Sequence, residues 1–253
     1  MQDTPVSDYY VGAVARGGVW LAVAYTDEGY DHTAVLDGVG ELWTRYEETA
    51  ERVAVDVPIG LESTTAPRPN EAAATDFLGD RQEAVVPAPV REAARKQRYR
   101  AAARVHERKT GRNLSRDAFE RARVITGMDE FMTTIDEARP MFVEALPELC
   151  YRAFAGEPLS YSPDVAAGYA ERMRILAGFD RDAPPTVQSV AEATEGYEVP
   201  IPAVLDGVAL GLTMRPGGGD LRSLPADPPT DGEGLPMQYV YRSETPLAAG
   251  ETA

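Results

Sequence analysis

Residues 9–25, YYVGAVARGGVWLAVAY, form two apolar, β-rich runs on either side of Arg16-Gly17-Gly18, which is a hairpin signal. A third strand is predicted near 31–36, giving a three-strand meander, and residues 41–50 carry a helical pattern. The run RVAVDVPIGL at 52–61 reads as a short apolar strand that ends at Asp56 and is stopped by Pro58 and Gly60. Following a helix-length crossover, this strand is expected to lie parallel beside the first. Helices are predicted near 70–79, 90–109 (closed by Gly111), 115–124 and 129–138 (halted by Pro140). MFVEALPE at 141–148 is strand-like and leads into a short helix that stops around Gly156. A helix over 165–177 capped by Gly178, an apolar helix over 204–212 with the single acid Asp206, and a final strand over 237–242 complete the pattern. The order of elements predicts one α/β domain over 1–253, with a helical insertion at about 64–138 and a Pro/Gly-rich loop at about 215–234.

Composition narrows the chemistry. With 43% hydrophobic residues the 253-residue chain can bury a core in spite of a net charge of −16. One cysteine and two histidines exclude a disulfide and a cysteine or imidazole metal cluster, so a metal would need oxygen ligands. No apolar run is long enough to span a membrane, and the N-terminus lacks the basic-then-apolar order of a signal peptide, so a cytoplasmic protein without a membrane partner is expected. Lys96 and Lys109 are the only lysines, an acid-rich, lysine-poor balance that resembles proteins of salt-loving cells. The exception is the stretch from Arg91 to Arg123, with twelve basic residues against four acids. Arg91, Arg95 and Arg98 share a helical face there, as do Arg100, Arg104 and Arg108. Such stripes suit a polyanion, and equally a solvated face that neutralises acidic surroundings.

Signatures of phosphate loops, serine nucleophiles, zinc proteases and dinucleotide folds are missing. What remains is a set of acids in apolar settings: Asp56 after Val53-Ala54-Val55, Glu144 between Val143 and Ala145, and Asp206 within Val204-Leu205-Asp206-Gly207-Val208. A buried carboxylate needs a cation, hydrogen-bond donors or a proton. Three acids converging on one point would hold Mg²⁺ or Mn²⁺; separately, each would be structural and paired with an arginine.

The order of motifs resembles domain of unknown function 429, a family expected to comprise ribonuclease-H-like nucleases. Its elements here are Val11-Gly12 through Arg16-Gly17-Gly18 and Trp20, Asp56-Val57-Pro58-Ile59-Gly60-Leu61, Leu78-Gly79-Asp80-Arg81, Val86-Pro87-Ala88-Pro89-Val90-Arg91 and Asn113-Leu114-Ser115. Val143-Glu144 with Pro147-Glu148, Gly156 to Ser162, Val204 to Gly207, and Asp231 to Met237 follow in order. The resemblance implies a mixed sheet flanked by helices, with Asp56, Glu144 and Asp206 as metal ligands and Glu148 as a catalytic helper. Arg16, Arg81, Arg91, Arg95 and Arg98 are the candidate contacts to nucleic acid or phosphate. The sequence departs from the family pattern in four places: its first-strand Asp falls at Val14, its Lys-Ile after the basic helix at Val124-Ile125, its His before Pro-Glu at Leu146, and acids ahead of Asp206 at Pro202 and Ala203. The three carboxyls are expected to converge in one cleft with Val14 on its wall, and hydrolysis is expected to be weakened or lost. The alternative is a non-catalytic module that binds nucleic acid or a phosphorylated ligand through the 91–123 arginines. Kinase-like phosphate chemistry ranks third, since no second copy of the core and no adenosine-binding signature are present.

Overall fold

The structure, a computed structural model, describes residues 8–248. Strands β1 (Tyr9–Arg16), β2 (Val19–Thr26) and β3 (Gly29–Leu36) form the expected antiparallel meander. Gly17 and Gly18 turn the first hairpin at φ of 61° and 81°, the left-handed pair that a two-residue turn between twisted strands requires. Helix α1 (Val39–Tyr46) leads to β4 (Ala50–Val55), which runs parallel to β1 with Ala13 opposite Val55. A helical stretch follows: α2 (Pro69–Leu78), a 3₁₀ turn at Gly79–Ala84, α3 (Arg91–Ala94), α4 (Tyr99–Thr110), α5 (Arg116–Glu120) and α6 (Ala122–Thr134). Strand β5 (Phe142–Glu144) then pairs parallel with β4. Helices α7 (Pro147–Ala155), α8 (Ala166–Phe179), α9 (Ala183–Ala193) and α10 (Ile201–Met214) precede β6 (Asp220–Leu224) and β7 (Tyr239–Ser243), which form a separate two-stranded sheet. The five-stranded sheet has the order β3-β2-β1-β4-β5. This α/β architecture, with helices on both faces, is consistent with the ribonuclease-H-like fold that the resemblance implies.

Strand alternation assigns the two cores. Tyr10 and Val14 of β1 face α10, together with Leu21, Val23 and Tyr25 of β2. Val11 and Ala13 face the opposite way, towards Leu42 and Tyr46 of α1 and Ile125, Met128 and Met132 of α6. Helix α10 lies almost on the backbone of β1: a Cβ added to Gly12 would stand 2.1 Å from the amide nitrogen of Gly211 and 2.5 Å from the carbonyl oxygen of Gly207. Glycines at strand and helix allow this approach, and it fixes the height of Asp206 above the sheet.

Several boundaries differ from the pattern-based expectation. The helix expected over 90–109 is broken into α3 and α4, and the chain doubles back so that His106 Nδ1 accepts from the Val90 amide at 3.3 Å. In one continuous helix those residues would be about 24 Å apart. The helices expected at 115–124 and 129–138 are instead α5 and the longer α6, in which Asp129 is a buried ion-pair partner in mid-helix. Helix α9, for which no element was expected, begins with prolines in its first turn, where no amide donor is needed. Strand β6 lies inside the stretch expected to be loop, because its polar sequence carries no period that marks a half-buried strand.

Candidate functional site

A cavity of about 290 Å³ opens beyond the C-terminal ends of β1 and β4, the place where parallel strands commonly present ligand-binding groups. Its wall includes Arg16, Asp56, Arg81, Arg121, Glu148 and Asp206. The Asp56 amide donates to the Ala13 carbonyl at 3.3 Å, which continues the β1–β4 ladder. Its Oδ1 accepts from the Ala15 amide at 3.0 Å. Both guanidinium groups nearby, Arg16 and Arg121, form ion pairs with its Oδ2. Arg16 is held firmly protonated, first by the charge on Asp56 and then by Asp206, against the cost of its burial.

Glu148 lies in the first turn of α7. Its Oε1 accepts from Arg81 Nε at 2.8 Å and its Oε2 from the fully buried Arg172 at 2.6 Å. Asp206 projects from α10, and no hydrogen bond or ion pair engages its carboxylate among the described residues. Burial raises its pKa to about 7, with Arg16 pulling downward and Asp56 pushing upward. Among the described residues, Asp206 and Asp164 are the acids of the cavity without a paired arginine, and Asp164 accepts from the Ser162 hydroxyl at 3.4 Å.

Glu144 is not on this wall. Arg68 grips it with two nitrogens, Nη2 to Oε1 at 2.6 Å and Nη1 to Oε2 at 2.8 Å, while Oε2 also accepts from the Ile59 amide at 2.9 Å. Arg68 further donates to Glu71 and to the carbonyls of Ile59 and Gly60. Burial opposes the charge on Arg68, but Glu144 and Glu71 overcome it and hold its pKa well above the ordinary value. Asp231 works beside this network, accepting from the amides of Leu61, Glu233 and Leu235 at 2.8, 2.8 and 2.9 Å and pairing with Arg91. Glu144 and Asp231 therefore clamp the loop 57–61 that follows Asp56. The expectation that Asp56, Glu144 and Asp206 converge is corrected: Asp56 and Asp206 line one cavity together with Glu148, without forming a three-ligand cluster among the described residues. Glu144 leaves the set because burial without Arg68 would be prohibitive.

Val14 also differs from expectation. It is fully buried in the core beneath α10, against the Gly207 position, and does not line the cavity. Of the candidate arginines, Arg16 and Arg81 are on the cavity wall. Arg91 is buried against Asp129 and Asp231, which removes it from any ligand surface. Arg95 is exposed and pairs with Asp129 at 3.3 Å, and Arg98 is exposed at the start of α4. Arg121 and Arg172 had no individual signal in the sequence: the first is one of a dozen basic residues, the second an ordinary helix position.

A divalent metal does not fit these groups as arranged. Asp56 is engaged by Arg16 and Arg121, Glu148 by Arg81 and Arg172, and no cluster of three potential ligands exists among the described residues. Guanidinium groups stand where a metal would have to supply the positive charge.

The family model described as "Protein of unknown function (DUF429)" matches residues 11–230, from β1 through β6 to the loop before β7. The chain belongs to this family. Within the DUF429 match lie all the residues of the cavity wall and Glu144 and Arg68 of the loop clamp; Asp231 falls one residue beyond it. No curated protein and no solved structure matches the chain at a significant level. Among the described residues, no helix is long and apolar enough to cross a membrane.

Proposed function

We propose that this DUF429 chain is a nucleic-acid-binding protein of ribonuclease-H-like build in which phosphodiester hydrolysis is weak or lost. The observation that carries this reading is the sharing of one carboxylate, Asp56, by two guanidinium groups, Arg16 and Arg121. Two guanidinium groups on one carboxylate give a local surplus of positive charge at Asp56, suited to a phosphate, on a wall whose other charges are Arg81 and the acids Glu83, Glu148, Asp164 and Asp206, and they occupy the acid that a hydrolytic metal would require. Exposed Arg98, Arg100, Arg104, Arg112 and Arg116 on the adjoining helical segment extend the basic surface along which a strand could run.

The test is fluorescence anisotropy with single-stranded, duplex and junction oligonucleotides, with and without Mn²⁺, alongside a cleavage assay. At least one substrate is expected to bind without divalent metal, with affinity that falls steeply with salt and drops about tenfold in Arg121→Gln, while cleavage stays near background. Strong Mn²⁺-dependent cleavage that disappears in Asp206→Asn would overturn the reading in favour of an active nuclease.

A further inference from the structure

A second and larger cleft, about 790 Å³, adjoins the first and shares Arg16 and Arg121 with it. Its wall differs in character. Besides those two arginines and Arg123 it carries two acids, Asp37 and Glu120, and is otherwise made of Ala15, Val19, Trp20, Val39, Val124 and Met128, with glycines at 17, 18, 38, 40 and 127. The volume falls in the range of small-molecule sites.

Gly127 is the informative position. It lies in the middle of α6 and its φ is not positive, so the backbone does not demand glycine there. An added Cβ would meet nothing within 4 Å, so packing does not demand it either. A mid-helix glycine is unfavourable relative to alanine, and here neither conformation nor a close neighbour explains it. Gly40, in the first turn of α1 on the same cleft, also has open space at its Cβ. Both glycines keep a cleft open that ordinary side chains would fill.

The cationic end of the cleft carries under-used donors. Among the described residues, Asp56 is the one carboxylate that Arg16 and Arg121 pair with, Arg16 otherwise donating to the Ala15 carbonyl at 2.8 Å, and Arg121 Nε is buried without a hydrogen-bond partner. Arg123, on the cleft wall, makes no ion pair among the described residues. An anion at this seam would satisfy these groups, and a flat, largely apolar body attached to it would extend between Trp20 and Gly127.

We infer that the glycine-walled cleft receives the base of a single nucleotide unit, whose phosphate sits at the seam between Arg16 and Arg121. The inference deepens the nucleic-acid-binding reading, on which it rests for the identity of the strand, but it makes its own demand: a free nucleoside monophosphate must bind, and its base must contribute. Trp20 and Trp43 are the only tryptophans, so base entry should quench the fluorescence of Trp20.

The experiment titrates AMP, GMP, CMP and UMP, and separately inorganic phosphate, into the full chain by calorimetry and by tryptophan fluorescence. At least one monophosphate is expected to bind tenfold or more tightly than phosphate and to quench emission, with the quenching absent in Trp20→Phe. Gly127→Leu, which fills the cleft, should weaken that monophosphate at least tenfold while changing phosphate affinity less than about twofold. Gly127→Ala should keep the fold and raise the melting temperature, so it reports on the cleft should the leucine variant not fold. Equal affinity for phosphate and all four monophosphates overturns the inference, as does unchanged monophosphate binding in a folded Gly127→Leu. If oligonucleotides bind but monophosphates do no better than phosphate, the base cleft falls and strand binding survives. Monophosphate binding with no oligonucleotide binding sinks only the strand reading.

Discussion

Asp206 is the residue whose chemistry is most sensitive to its surroundings. Its neighbours on the cavity wall bring Arg16 and Asp56 into play, but burial dominates and lifts its pKa to about 7 from an ordinary value of 3.8. The sign for stability follows directly. The folded state holds the proton more tightly than the unfolded chain, so this group's contribution is full below pH 4 and is lost as pH rises through about 7. Asp206→Asn is therefore expected to be more stable than wild type at pH 8, by on the order of 2 kcal/mol, with the difference vanishing near pH 4. Urea denaturation across that range measures it. The same titration adds a negative charge beside Arg16, so phosphate and oligonucleotide affinity should fall between pH 6 and pH 8 in wild type and stay flatter in the variant. A flat wild-type profile would show that Asp206 is not close enough to influence the bound anion.

At the scale of elements, the loop 57–61 is the joint between β4 and the helical segment, and it is held by side chains from three distant parts of the chain. Glu144 at the end of β5 takes the Ile59 amide, Asp231 takes the Leu61 amide, and Arg68 at the start of α2 takes the carbonyls between them. Removing one partner of a buried pair leaves the other charge uncompensated. Glu144→Gln is expected to destabilise the fold by about 3 kcal/mol in denaturant titrations, with little change in oligonucleotide affinity at temperatures where the variant remains folded. Lost binding with unchanged stability would instead put Glu144 in the ligand site. Helix α10 is held just as tightly, since Gly12 admits it to within contact of the β1 backbone. The carboxylate of Asp206 is thus carried by an element that cannot move away from the sheet.

On the scale of the whole molecule, the charge distribution sets two opposite salt dependences. A net charge of −16 repels itself, so screening should raise stability. Between 0.1 and 2 M KCl the melting temperature is expected to rise by roughly 3–6 °C, equivalent to about 1–2 kcal/mol. Oligonucleotide binding should move the other way, because its favourable term comes from the exposed arginines of α4 and α5. Each phosphate contacted adds about −0.7 to the slope of log affinity against log salt for a single strand. Replacing Arg98, Arg100 and Arg104 together with Gln should make that slope shallower by roughly 1–2 if the strand runs over this surface, and leave it unchanged if only the cavity arginines matter.

Local rules were enough to determine the meander, the parallel strand ending at Asp56, the apolar helix bearing Asp206 and the concentration of positive charge before residue 123. Alternation, turn glycines and charge runs act over a few residues, so the chain states them openly. They also pointed to Asp56, Glu144 and Asp206 as acids in unusual places, while Glu148 entered only through the family resemblance. The pairing of those acids was decided only in three dimensions. Nothing near Glu144 in sequence foretells Arg68, 76 residues away, and nothing near Asp56 foretells Arg121, 65 residues away. A buried carboxylate takes whichever cation the packing brings to it, and packing depends on long-range geometry such as the glycine contact of α10 with β1. For the same reason Arg91, first in the basic run, became a buried structural residue, while Arg121, unremarked in that run, reached the cavity. Sequence determined which charges the chain possesses; the tertiary fold determined which of them neutralise one another and which remain to meet a ligand, because electrostatic partnership depends on distance and burial rather than on order along the chain.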